Sequence, residues 1–189
     1  YGGLGIAALA LRDHPNAQEW SARAIELVTR SLALQIDPQS GSYAEGPFYS
    51  RYSADVYLPY FIALRRVTGR DLFGETAVHA LHQWSLNLRM PNGRRPNVDD
   101  GHLDDFYGHY LASIADNGGE FRWDWENNSS GLYVRQFSEP DAIALYDDSV
   151  EPTKPSRQPT VFMPSGGDAV FRSDWTDSAT YLLLRGENG

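Results

Sequence analysis

The 189 residues predict an α-helical array followed by an all-β unit. Three observations carry this. Apolar residues recur with helical spacing over the first two thirds of the chain. A segment from Asp147 to Pro159 then holds three prolines and few apolar residues. After it, short segments alternate with period two, as half-buried strands do.

The opening Tyr1-Gly2-Gly3-Leu4-Gly5-Ile6-Ala7-Ala8-Leu9-Ala10-Leu11 reads as helix interior, because no basic segment precedes the apolar stretch as it would in a signal peptide. From Asn16 to about Ile36, one stripe carries Trp20, Ala24, Leu27, Ser31 and Leu34. Ile25, Val28 and Leu32 lie beside it, so the face is wide enough for packing on two sides. Pro15 and Glu19 suit a first turn, and Asp37-Pro38-Gln39-Ser40-Gly41 stops the helix.

A second helix is expected from Tyr52 to Val67, with Val56, Tyr57, Tyr60, Phe61 and Leu64 buried and Gly69 as the stop. A third starts near Asp71 and carries Phe73, Ala77, Leu81, Trp84 and Leu88. A fourth follows the polar loop 91–101 with Phe106, Tyr107, Tyr110, Leu111 and Ile114, and a short one starts at Ser138. Residues 148–159 read as a linker. Strands are then expected at Thr160–Met163, Asp168–Arg172 and Ala179–Arg185, with turns at 164–167 and 176–178, forming an antiparallel meander. Both ends read as cuts within a longer sequence. A three-stranded meander is too little for a sandwich, so further strands are expected downstream.

Composition narrows the function. A net charge of −9 argues against a nucleic-acid partner, which would need excess Lys and Arg to neutralise phosphates. It does not exclude a polyanionic substrate, since a few arginines in a cleft set the local potential. With no cysteine, a disulfide, a thiol nucleophile and a Cys-zinc site are excluded within these residues. That composition suits an exported bacterial protein, periplasmic or secreted. No apolar run approaches the roughly 20 residues of a membrane-spanning helix. An aromatic content of 13% fits either sugar-stacking surfaces or a core built on rings.

Two segments carry a resemblance. Gly41-Ser42-Tyr43-Ala44-Glu45-Gly46-Pro47-Phe48-Tyr49-Ser50-Arg51-Tyr52, leading into an aromatic helix, resembles the toroid motif of heparinase II/III-like polysaccharide lyases and related alginate lyases. Gly166-Gly167-Asp168-Ala169-Val170-Phe171-Arg172-Ser173-Asp174-Trp175, followed by a Tyr-Leu-Leu-Leu strand, is similar to the opening of their β domain.

The resemblance implies the end of an incomplete (α/α) toroid over 1–147 and the start of an antiparallel β-sandwich over 160–189. It implies that Tyr49 is the proton donor and often also the base, that Glu45 shapes the same site, and that Arg51 and Tyr52 lie close to the cleft. The family's Asn-His pair and its β-domain histidine fall outside these residues. No cofactor is expected within them; a divalent metal such as zinc would belong to the absent part of the β domain. A homodimer is left open.

The chemistry agrees with that assignment. Cleaving a uronate polymer by β-elimination requires neutralising the sugar carboxylate, removing the C5 proton and protonating the leaving O4. A tyrosine, ordinarily titrating near 10, is an available acid at neutral pH. It becomes a base when a cation stabilises its phenolate, and Arg51 is the candidate cation.

Arg89, Arg94 and Arg95 sit in a loop that would line a cleft for an acidic sugar or stand as a solvated surface. Of these, Arg94 and Arg95 are the substrate-binding candidates. Trp123 and Trp125 fit sugar stacking or core packing. His79 with His82, and His102 with His109 among nearby aspartates, have metal-like spacing but fit core packing and helix capping better. Asn127 and Asn128 each begin an N-x-S pattern. The alternatives to a lyase are a glycoside hydrolase, for which Glu45 with Asp99 or Asp100 is the pair on offer, and a non-catalytic carbohydrate-binding helical module.

Overall fold

The computed structural model describes residues 1–101, 110–116, 118–127 and 144–186. Among them are seven α-helices followed by three strands. The helices are α1 (Gly2–Ala10), α2 (Ala17–Gln35), α3 (Gly46–Thr68), α4 (Leu72–Glu75), α5 (Val78–Asn87), α6 (Tyr110–Asp116) and α7 (Gly119–Glu126). The strands β1 (Val161–Met163), β2 (Asp168–Arg172) and β3 (Tyr181–Arg185) form one antiparallel sheet in the order β1-β2-β3. The expected helices of the 102–109 and 128–143 regions, with Phe106, Tyr107, His102, His109 and Ser138, lie outside the described residues. No described helix is long and apolar enough to cross a membrane.

The helices differ from expectation in instructive ways. In α2 the buried residues are Ala17, Ala24, Val28 and Leu32, a single face, while Leu34 is 79% exposed. The helix is packed on one broad side, not two. In α3 the start moves six residues earlier than Tyr52 and takes in Tyr49. Pro47 in the first turn suits helix initiation, since its missing N–H would be unpaired there anyway. Val56 is exposed on α3, whereas Tyr57, Tyr60, Phe61 and Leu64 are buried as expected.

The expected third helix is two. Asp71 caps α4, accepting from Phe73 N, and Thr76 breaks the run in an extended conformation (φ −122, ψ 174). The Thr76 hydroxyl donates back to Leu72 O and accepts from Val78 N, so it serves the end of one helix and the start of the next. The α7 helix was not anticipated.

The segment expected as a linker is mostly exposed and is tied to the helices at a few points. Thr153 N donates to Gly119 O at 2.9 Å, Val150 and Pro155 are buried, and Arg157 ion-pairs with Glu120 and reaches Asn87. Helices and sheet also share a core: Met163, Val170 and Trp175 belong to the same buried cluster as Phe61, Leu81 and Trp84.

The sheet docks on the C-terminal end of α5, where backbone carbonyls lack helical donors. Arg172 donates to Asn87 O and Arg89 O, and Tyr181 Oη donates to Leu88 O at 3.0 Å. A cation there also complements the helix dipole. The opposite face of the sheet is apolar and open, with Phe162, Leu182 and Leu184 exposed beside Phe171.

Candidate functional site

The motif that singled out Tyr49 is built by the turn between α2 and α3. Asp37 organises its first half: its Oδ1 accepts from Gln39 N, Ser40 N, Ser40 Oγ and, across from the sheet side, Ser165 Oγ. These donors, led by the Ser40 amide, hold the Asp37 carboxyl below its ordinary value. Ile36 and Tyr43 then pair as an isolated antiparallel bridge, and the Tyr43 hydroxyl donates to Gln35 Oε1 at 2.7 Å.

Gly46 follows with φ +77 and begins α3. A glycine is required there for two reasons. The backbone is left-handed, and a β-carbon would overlap the Asp99 carboxylate.

Tyr49 lies one turn into α3. It is partly buried against the core and meets Phe48 edge-on at a centroid distance of 5.1 Å. Glu45, immediately before α3, is exposed, and Tyr52 is 61% exposed. Tyr49 and Tyr52, three apart within α3, share a helix face, whereas Glu45 stands outside the helix, before the left-handed Gly46.

Arg51 does not join them. Residues two apart point to nearly opposite sides of a helix, and Nη1 of Arg51 pairs with Asp55 Oδ2 at 2.7 Å along its own helix. Asp55 is the partner shown for that nitrogen, and the expected role of Arg51 as the cation beside Tyr49 draws no support from it.

The loop arginines are also placed differently from expectation. Arg95 is 1% exposed: Nη2 pairs with Asp124 Oδ2 at 2.6 Å, Nε donates to Ser85 Oγ and Nη1 to Gly93 O. Arg89 is 2% exposed, with Nε on Asp124 Oδ1 at 3.0 Å and its guanidinium over the Trp123 ring at 4.7 Å. Burial pushes its guanidinium down from the ordinary value. Neither side chain presents a donor to a substrate; both hold the loop to α7. Arg94 is partly exposed, and its amide donates to Asn92 Oδ1.

The aromatic and histidine candidates are likewise packed. Trp123 meets Trp175 edge-on, and Trp125 packs on Tyr110. His82 is buried and stacked on Phe73, and His79 pairs with Asp116 at 3.4 Å.

An open groove of about 560 Å³ runs between the α2–α3 turn and the sheet, lined by Asp37, Ser42, Tyr43, Asp99, Ser165 and Arg185 among others. A second, of about 540 Å³, lies between α5 and β1, with Gln39, Gln83, Asn87 and Phe162 among its lining residues. Tyr49 lines neither. In the first groove Arg185 Nη1 pairs with Asp99 Oδ2 at 2.7 Å, and Arg185 Nε stands 3.7 Å from Asp168 Oδ1. Asp168 is buried and accepts from Trp84 Nε1 at 2.8 Å, and burial raises its carboxyl despite that bond.

The sequence offers Asp99 as half of a hydrolase pair and as one of the aspartates near His102 and His109, and gives Arg185 no role beyond ending a strand. The Asp-Asp-Gly turn was the available signal for a special backbone position, since aspartate tolerates the left-handed region.

Comparison with solved structures places this arrangement. The crystal structure of a mutant of heparan sulfate lyase HepC from Pedobacter heparinus superposes on 96% of this chain with a TM-score of 0.62 and 18% sequence identity. The chain shares the fold of part of that lyase. It spans 26% of the lyase's length. No family model matches the sequence, and no curated protein matches it. The helical region followed by a three-stranded antiparallel sheet is the arrangement that the chain shares with that part of the lyase.

Proposed function

We propose that this chain belongs to a polysaccharide lyase that cleaves an acidic, uronate-containing polymer or oligomer by β-elimination, with Tyr49 protonating the leaving oxygen. The observation that supports this reading is the α-then-β arrangement shared with part of a heparan sulfate lyase, with Tyr49 and Tyr52 on one face at the start of α3.

A tyrosine gives up a proton to a departing alkoxide without assistance, but it needs an adjacent cation to act as a base. With Arg51 turned towards Asp55, the acid role is the one assigned to Tyr49. C5 proton abstraction and carboxylate neutralisation then fall to groups contributed by the rest of the protein. Glu45 and Tyr52 are proposed to contact the sugar, and Arg94 to meet its charge from the loop. The reaction needs no organic cofactor, and a periplasmic or secreted location fits such a substrate.

The test is incubation of the full-length protein with alginate, heparin, heparan sulfate and hyaluronan, following the ultraviolet absorbance of a double bond conjugated to the carboxylate. Tyr49→Phe is expected to lower kcat about a hundredfold or more while substrate binding survives. Near-normal turnover removes Tyr49 from the mechanism. No absorbance rise on any uronate polymer, with reducing ends released from neutral glycans, would replace the lyase with a hydrolase.

A further inference from the structure

Asp99 is the one non-glycine residue with positive φ among the described residues, at +54. Its carboxylate occupies the space a side chain would fill at Gly46, directly against the start of α3. A negative charge there complements the positive end of the helix dipole. The carboxylate is held from the other side by Arg185 at 2.7 Å.

Arg185 is itself fixed. It pairs in register with Asp168 across β2 and β3, and its Nε faces the Asp168 carboxylate, whose second oxygen is tied to Trp84 of α5. A chain of polar contacts thus runs from Trp84 of α5 through Asp168 and Arg185 to Asp99, whose carboxylate packs against the first residue of α3. It lies in the wall of the groove, where Arg185 keeps 22% of its side chain exposed.

We infer that Asp99, held by Arg185, is a positioning residue that fixes the first turn of α3 and with it the direction of the Tyr49 phenol relative to the sheet. Tyr49 follows Gly46 by three residues, so any rotation of that turn is amplified at the tip of the long side chain. The consequence for turnover rests on the lyase reading; the consequence for the helix start does not.

The experiment uses the full-length protein and reads two quantities. Asp99→Asn keeps a residue that tolerates left-handed backbone and removes only the charge. In it, exchange of the Tyr49 and Ser50 amides, the first to bond within α3, is expected to accelerate about tenfold, with residues 60–68 unchanged. Arg185→Met should do the same, Arg185→Lys should restore protection, and Gly46→Ala should disturb the same contact from the helix side. On the polymer that is cleaved, Asp99→Asn is expected to lower kcat about tenfold or more at nearly constant KM.

Wild-type exchange in Asp99→Asn overturns the inference, as does a wild-type kcat in an active protein. A protein that cleaves no uronate polymer overturns the lyase reading alone, and the exchange experiment still decides the role of Asp99.

Discussion

Asp124 is the residue whose removal should cost the fold most for the smallest change of shape. Its carboxylate is 3% exposed and lies between two guanidinium groups that are themselves 2% and 1% exposed. It accepts from Arg89 Nε at 3.0 Å and from Arg95 Nη2 at 2.6 Å and Nη1 at 3.4 Å. Asp124→Asn keeps the volume but leaves two buried cations facing an amide that offers one acceptor. Breaking a buried pair by removing one partner costs about 3–5 kcal/mol, because a charge stays behind without compensation. Taking ~4 kcal/mol, and a urea dependence of about 2 kcal/mol per molar, the unfolding midpoint should fall by about 2 M.

The assay is equilibrium urea unfolding of the full-length protein followed by tryptophan fluorescence, which Trp123 over Arg89 and Trp175 beside it should report. A loss below about 1 kcal/mol would show that water reaches the cluster and that the buried triad is not a structural unit.

Two further outcomes concern the carboxylates of Asp37 and Asp168. Asp37→Asn keeps an acceptor oxygen at the α2–α3 turn but removes its charge. Because the Asp37 carboxyl titrates lower in the folded chain than its ordinary 3.8, the wild type's advantage is present above that value. It is lost as pH falls through the depressed one. Unfolding midpoints of both proteins at neutral and strongly acid pH should therefore converge in acid, and a constant gap would contradict the assignment. Trp84→Phe takes the donor from Asp168 and should cost about 1–3 kcal/mol. Since burial already raises the Asp168 carboxyl, its ionised form is the disfavoured one. The penalty should be largest at neutral pH and shrink as pH falls and the group protonates; a penalty independent of pH would point to the lost ring volume instead.

The order of helices and strands was legible because it rests on periodicity, and β2 lies at Asp168–Arg172 as expected. The start of α3 was misread because Gly41-to-Pro47 carries turn-forming residues, which mask a helix that Pro47 initiates. Thr76 split one expected helix in two through a hydroxyl that serves both neighbours, a local competition that an apolar stripe does not register.

In the site, helical spacing puts Tyr49 and Tyr52 on one face of α3, but it does not reach Glu45, which precedes the left-handed Gly46. Arg89 and Arg95 looked like surface charges because nothing near them in sequence marks Asp124, roughly 30 positions later, as their counter-ion. Asp99 and Arg185 are separated by still more chain, and only the folded register brings them together.

The docking of the three strands on the carbonyl end of α5 has a practical meaning for anyone dividing this protein. Strands that draw Met163, Val170 and Trp175 into a core made mostly by helices are welded to those helices along one face. Severed near residue 159, the helices would keep a raw wound at Leu88 and Trp84, and that face of the strands would lose its backing. Among the described residues, helices and strands should therefore melt together.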